Sequence, residues 1–368
     1  MTLQASLIIK QFEEMSPKHY AFDWDNVGLQ VGTLNKPVAK VMITLDVLEN
    51  VVDEAIEKSV DLIIAHHPLL FTSLKQIDLE TPKGRIIKKL IQYDIAVYAA
   101  HTNLDVAVGG VNDVMAELLH IQNVEPLIET EKDELIKLVV FVPEDYSEGL
   151  RNALSEAGAG HIGAYSHCTF QSAGQGTFKP LDGTNPFIGK QGAIERVDEH
   201  RVETIVPKTK LAKTLKAMKK AHPYEEVAYD LYPLVNEGES IGVGRVGRLS
   251  KEITLRELCE VVKEQYDVPA LRYVGDPDQT IQTVALLGGS GEKYIHAAKE
   301  KEADVYITGD LTFHLAQDAE QMGLAVIDPG HHVEKVITSK LQRRLQKKCG
   351  TDVDFIVSNS QTEPFRFM

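Results

Sequence analysis

The sequence predicts an α/β protein in which two similar α/β halves with parallel sheets form the core and a ferredoxin-like α+β domain is inserted between them. Three observations carry this prediction. Short apolar runs of strand length alternate with helical stretches near both ends of the chain, the middle follows a βαββαβ order, and the histidine-rich segments fall directly after strands of the outer parts. The expected divisions are 1–125 for the N-terminal half, 126–233 for the insert and 234–368 for the C-terminal half.

A helix opens the chain. Residues 40–46 (KVMITLD) form a short apolar strand, 47–58 have helical periodicity, 61–65 (DLIIA) form a second buried strand, 83–93 a helix and 95–100 (IAVYAA) a third strand. Such alternation implies a parallel sheet covered on both faces. In the middle, 135–142 (strand), 146–157 (helix), 165–171 and 195–206 (strands), 209–221 (helix) and 228–234 (strand) give the split βαβ order, with a loop carrying Gly174, Gly176, Gly183 and Gly189. The first grammar then returns: strand 283–287, helix 292–301, strand 304–308, helix 311–322, strand 325–328, helix 331–347 and strand 353–357. Laying 61–71 (DLIIAHHPLLF) on 304–314 (DVYITGDLTFH) pairs His67 with Asp310, and laying 95–105 (IAVYAAHTNLD) on 324–334 (LAVIDPGHHVE) pairs Asp105 with Glu334. Two explanations fit this match: a duplication, or the common look of buried strands followed by polar residues.

At 368 residues the chain is long enough for two or three cores, and 54 acidic against 39 basic residues leave a net charge of −15. That balance argues against a broad nucleic-acid or anionic-membrane surface. No apolar run approaches the ~20 residues of a membrane span, and the opening MTLQASLIIKQFEEM carries acidic residues where a signal peptide has a basic start, so a cytoplasmic protein is expected. Cys168, Cys259 and Cys349 stand about ninety residues apart with no CxxC spacing. A metal ion here must therefore be held by His and carboxylates.

In open parallel sheets ligands bind beyond the carboxyl ends of the strands. Asp46, His66-His67 and His101-Thr102-Asn103-Leu104-Asp105 follow the three strands of the first half. Asp310 and His314 follow one strand of the second half, and Asp328-Pro329-Gly330-His331-His332-Val333-Glu334 follows the next. Nearly half of the thirteen histidines lie in these segments beside carboxylates, the composition of an N/O metal site. Adjacent side chains diverge, so His66 and His67 suit two ions better than one. His331 and Glu334 are three apart and share a helix face, whereas His332 and Glu334 do not, which favours His331 over His332. Asp105 offers a hard oxygen, and Glu334 can bridge two ions ~3.5–4 Å apart. A single strand-end His is usually structural, and the combination carries the argument. His101 and His314 are open between acid/base, substrate-contacting and ligand-orienting roles. Asp310 reads best as a cap of the helix from Leu311, Gly288-Gly289-Ser290-Gly291 as a plain strand-to-helix turn rather than an anion cradle, and Trp24 as core or pocket wall.

Asp23-Trp24-Asp25-Asn26-Val27-Gly28-Leu29-Gln30-Val31-Gly32, Ala65-His66-His67-Pro68-Leu69, His101-Thr102-Asn103-Leu104-Asp105, Thr308-Gly309-Asp310 and Gly330-His331-His332-Val333-Glu334 together resemble the Nif-three-like family, whose members are also labelled GTP cyclohydrolase 1 type 2 homologs. The resemblance covers both outer halves. It implies a toroidal homohexamer with a dinuclear metal centre in each subunit, held by His66, His67, Asp105, His331 and Glu334. Zinc is the first expectation for the two divalent ions, with iron or manganese as alternatives. In some branches the final Glu lies four residues after its His. Here it lies three after His331, so the choice between His331 and His332 stays open. The insert is similar to PII-like and CutA-like domains, notably at Ala221-His222-Pro223-Tyr224-Glu225-Glu226-Val227, which reads as a helix-to-strand turn.

Two functional classes follow. Two divalent ions can acidify a bridging water and polarise the bond it attacks, which makes a hydrolase. A GTP cyclohydrolase-like version would attack a purine nucleotide, with His101 or Glu334 moving protons. The alternative is a hexameric metal-binding regulatory or interaction protein without catalysis. Neither reading calls for a membrane or nucleic acid.

Overall fold

The computed structural model describes residues 2–368. The chain divides into two compact units, one comprising the chain up to Thr130 together with Ile241–Met368, the other Glu131–Ser240.

The larger unit holds two sheets built on one plan. In the first, Asp354–Val357, Lys40–Thr44, Leu62–Ala65 and Ala96–Ala99 run parallel in that order, and Gly28–Val31 closes the edge antiparallel. In the second, Thr280–Ser290, Val305–Gly309 and Ala325–Asp328 run parallel, and Arg272–Val274 closes the edge antiparallel. Both sheets thus share three parallel strands in chain order followed by an edge strand drawn from the segment that precedes them, and the first adds Asp354–Val357, which the sequence grouped with the C-terminal half, beside Lys40–Thr44. The halves are similar α/β structures, as expected from the sequence. The two edge strands, GLQV and RYV, are too short to signal themselves by periodicity.

Strand alternation sorts the side chains. Val41, Ile43, Leu62, Ile64, Ala96 and Tyr98 point from the first sheet into the same buried cluster as Val284, Leu286, Val305, Ile307, Ala325 and Ile327 from the second. Ile8 and Phe12 of helix Ala5–Glu13, Leu258 and Val262 of helix Leu255–Gln265, and Leu341 and Leu345 of helix Val336–Cys349 complete it. The intervening residues Met42, Ile63 and Val97 face helices Glu49–Glu57 and Pro82–Gln92. Ala285, Tyr306 and Val326 face Ile295–Glu300 and Phe313–Gln321. Each Val, Leu, Ile, Met or Phe among them gains ~1.5–3 kcal/mol on full burial, so a one-residue slip in register would turn both faces of a sheet wrong way round.

Local signals set the helix ends. Thr81 caps Pro82–Gln92 by accepting from the Gly84 amide at 3.1 Å, with Pro82 at the first position. Helix Leu255–Gln265 starts on a capping box, Thr254 with Glu257. Thr-x-x-Glu is the sequence signature of such a start, yet neither this helix nor Val111–Leu118 is among the elements expected from the sequence.

The smaller unit follows the βαββαβ order. Parts of Gln122–Pro143 and Tyr229–Thr254 join Glu195–Pro207 and Thr169–Phe178 in an antiparallel sheet with helices Ser147–Glu156 and Lys208–Ala221. Its own core contains Leu138, Val140, Leu150, Leu154, Val202, Val206 and Met218. The second strand begins at Thr169, later than expected, because an Ile162–Tyr165 bridge and the left-handed His167 make a turn first. The strands Gln122–Pro143 and Tyr229–Thr254 are far longer than 135–142 and 228–234, their polar stretches having no alternation to betray them. His222 follows Lys208–Ala221 and bonds the Phe141 carbonyl oxygen through Nε2 at 2.8 Å, a fixed turn residue.

Candidate metal centre

The candidate site gathers at the carboxyl ends of both parallel sheets. His66 and His67 leave strand Leu62–Ala65, His101 and Asp105 follow Ala96–Ala99, and His331 and Glu334 follow Ala325–Asp328. Residues His331–Lys335 form a 3₁₀ turn, in which positions three apart eclipse one another, so His331 and Glu334 point the same way. His331 Nε2 lies 3.3 Å from Glu334 Oε2, whereas His332 turns to the Thr362 hydroxyl at 3.1 Å. His314 stays outside, exposed and 3.3 Å from Gln317.

Four imidazoles converge, and each is held from behind at Nδ1. His66 Nδ1 is 2.8 Å from the Ala100 carbonyl oxygen, His67 Nδ1 2.7 Å from Asp46, His101 Nδ1 2.9 Å from Asp25 and His331 Nδ1 2.6 Å from Asp310. An acceptor at Nδ1 puts the proton there and leaves the Nε2 lone pair for the centre. Three triads have donor atoms within 4.8 Å of one another: His66, Asp105 and Glu334; His67, His331 and Glu334; and His66, His67 and His101. Glu334 belongs to two of them, with Oε1 toward His66 and Oε2 toward His67 at 2.9 Å.

The fit to metal ions can be tested on atoms that have no other use. His66 Nε2 and Asp105 Oδ1 are buried without a hydrogen-bond partner, and such orphans cost free energy unless something else satisfies them. Asp105 Oδ1 and Glu334 Oε1 each lie 3.6 Å from His66 Nε2. That is too long for a hydrogen bond and close to the ~3.3 Å expected between two donors each ~2.0 Å from a tetrahedral ion. The donor set, nitrogen and carboxylate oxygen without thiolate, suits Zn, Fe or Mn.

The electrostatics also call for cations. Burial opposes charging of His67 and His331, but hydrogen bonds to Glu334 and to Asp46 or Asp310 override it and hold them up at about 10 and about 9. Burial likewise opposes the His66 cation, and the charges of Asp105 and Glu334 raise it nonetheless. Burial pushes Asp105 up to about 6, while Glu334, equally buried, is carried well below the usual carboxylate range by the surrounding imidazoles. The carboxylates that raise these imidazoles would equally favour a metal cation among them.

Two sequence expectations are corrected here. Asp310 does not cap a helix: Phe313–Gln321 begins beyond it with Thr312 at its cap position, and Asp310, in the left-handed region at φ 56°, orients His331. Gly288-Gly289 is no plain turn. The strand runs on to Ser290, and a Cβ at Gly289 would lie 2.5 Å from Glu334 Oε1, so the glycines clear room for that carboxylate. Asn112 ties the halves together beside it, donating to the Asp105 carbonyl oxygen and accepting from the Gly288 amide, both at 2.9 Å. The sequence sets Asp46 at a strand end and Asp25 in the Asp23–Gly32 motif without giving either a role, since nothing local shows which imidazole they face. A cavity of about 1140 Å³ opens over the centre, with Trp24 and Phe71 among its walls.

The chain is similar over nearly its whole length to known proteins. Residues 3–364 match the Duf34/NIF3 (NGG1p interacting factor 3) family. A Bacillus subtilis protein named GTP cyclohydrolase 1 type 2 homolog is 56% identical over 364 residues, 98% of either chain. The crystal structure of a Bacillus cereus protein related to NIF3 covers 99% of both chains at 52% identity with a TM-score of 0.88, and that of a Staphylococcus aureus protein, SA1388, covers 100% of this chain and 99% of its own at 30% identity with a TM-score of 0.70.

Proposed function

The chain belongs to the Duf34/NIF3 family, and on that premise we propose that its larger unit is a dinuclear metal-dependent hydrolase acting on a small molecule of the purine-nucleotide class. The observation that carries the reading is the convergence of Nε2 atoms, each fixed at Nδ1, on two carboxylates with orphaned buried donor atoms between them. In this reading His66, Asp105 and Glu334 would hold one ion and His67, His331 and Glu334 the other, with Glu334 serving both. Two such ions would supply Lewis acidity and an acidified water.

The chain's own residues supply the rest. Asp46 and Asp310 fix the rings of His67 and His331. His101, steadied by Asp25, presents Nε2 beside the cluster without belonging to either of those two sets, which suits it to take up and return a proton at the reacting centre. The purine-nucleotide class is supported by the names of relatives such as the Bacillus subtilis GTP cyclohydrolase 1 type 2 homolog.

The test is turnover of the metal-loaded protein on a panel of nucleotides and phosphoesters, lost on chelation and regained on adding the metal back. Elemental analysis should return about two equivalents per chain, and Glu334→Ala should remove more than one, because a bridging ligand serves both ions. A protein that keeps two ions yet turns over nothing would favour the regulatory alternative. The family resemblance also implies a closed homohexamer, for which light scattering should give a mass near six times 40.8 kDa.

A further inference from the structure

The cavity over the centre has an aromatic corner on one side. Trp24 and Phe71 are each 55% exposed, although both carry large apolar rings. Trp24, Phe71 and His101 form a triangle with centroid separations of 6.0, 6.0 and 6.2 Å and interplanar angles of 65° to 78°. Phe22 backs Trp24 at 5.8 Å. Edge-to-face contacts of this kind lock the rings against one another and leave their outer faces open to a flat guest.

The cavity also carries a cation. From His101 the cluster runs to His67 at 5.7 Å and on to His331 at 5.1 Å, and His331 Nε2 reaches the Gly289 end of strand Thr280–Ser290. Lys293 follows that strand end and lines the same cavity. Its ammonium sits 4.9 Å from the Tyr294 ring, and among the described residues no carboxylate pairs with it. The other cavity cations are engaged: Arg272 is held by Asp328, and Arg366 by the carbonyl oxygens of Glu363 and Phe365.

We propose that this cavity binds a ligand joining a planar heteroaromatic ring to a phosphate-class anion, with the ring on Trp24 and Phe71 and the anion at Lys293, so that the metal centre faces the part between. This deepens the function proposed above and rests on it for the reaction, but not for the binding. An exposed aromatic face takes a heterocycle by stacking, and an unpaired ammonium takes an anion through charge-assisted hydrogen bonds.

Trp24 is the single tryptophan of the chain, so its emission reports the ring subsite directly. The probes are GMP, guanosine and ribose 5-phosphate, titrated into the metal-loaded protein. GMP and guanosine should quench Trp24 saturably, and ribose 5-phosphate should leave the emission unchanged while displacing GMP. Lys293→Ala should weaken GMP about tenfold and leave guanosine unaltered, whereas Phe71→Ala should weaken both about tenfold. Both side chains are exposed, and a cooperative melt verifies that each variant is folded. Absence of saturable quenching by GMP, or unaltered GMP binding by Lys293→Ala, overturns the proposal. A protein that keeps its ions and turnover without quenching refutes this ring site alone. One that quenches but holds no metal refutes the dinuclear reading and leaves the ring site standing.

Discussion

A Cβ on Gly289 would lie 2.5 Å from Oε1 of Glu334, and the glycine sits at φ +64°. Both facts forbid a side chain at this strand end. Gly289→Ala must move the carboxylate or the strand, and it also adds ~1–2 kcal/mol of left-handed strain. The expected result is a folded protein that melts a few degrees lower and has lost metal, read by elemental analysis beside a thermal scan. Full metal content in Gly289→Ala would mean that Glu334 does not bridge.

The carboxylates behind the imidazoles should separate by role. Asp46→Asn and Asp310→Asn leave His67 and His331 without an anionic partner at Nδ1, and each should weaken the ion assigned to His67, His331 and Glu334 by ~10–100-fold in competition with a chelator. Asp25→Asn loosens His101 instead. It should keep both ions while lowering kcat and moving the pH profile of turnover. Loss of an ion in Asp25→Asn would make His101 a ligand.

Acid should release the C-terminal segment first. Burial works against the Glu54 carboxylate, but hydrogen bonds from the Asn359 and Ser360 amides, from the Ser358 and Ser360 hydroxyls and from Lys58 lower it to about 2. A depressed carboxylate contributes stability that is complete above its unfolded value of ~4.3 and is lost as pH falls through the folded value. Between pH 4 and pH 2 the parent should therefore lose stability that Glu54→Gln, already without it at neutral pH, does not lose. Parallel pH–stability curves for the two proteins would show that Glu54 does not anchor this segment.

The unit Glu131–Ser240 should be removable. The Thr130 hydroxyl donates to the Ile241 carbonyl oxygen at 3.2 Å, so the two ends of the larger unit lie side by side and a two-residue Asn-Gly turn can join them. The shortened protein should melt cooperatively and keep its metal, since all six converging side chains lie outside the excised segment. A folded product without metal would show that the insert takes part in the centre.

Much of this was legible in the sequence because strand periodicity is local. The runs KVMITLD, DLIIA, IAVYAA and LAVIDP announce buried parallel strands, and the rule that ligands gather beyond their carboxyl ends then marks a set that includes His66, His67, His101, Asp105, His331 and Glu334 along with His314 and His332, which the structure turns elsewhere. The capping box at Thr254 is equally legible.

The rest depends on contacts between distant parts of the chain. The ring of His67 is set by Asp46, that of His331 by Asp310 and that of His101 by Asp25, partners 21, 21 and 76 residues away. No periodicity encodes such pairs, because each carboxylate reaches its imidazole only after the sheets have brought loop against loop. His331 enters the centre and His332 leaves it through the pitch of a single 3₁₀ turn and the hydroxyl of Thr362. The composition of the site is thus a property of the sequence, while the orientation of its donors and the room made for Glu334 by Gly288 and Gly289 arise only when the two halves pack on their shared core.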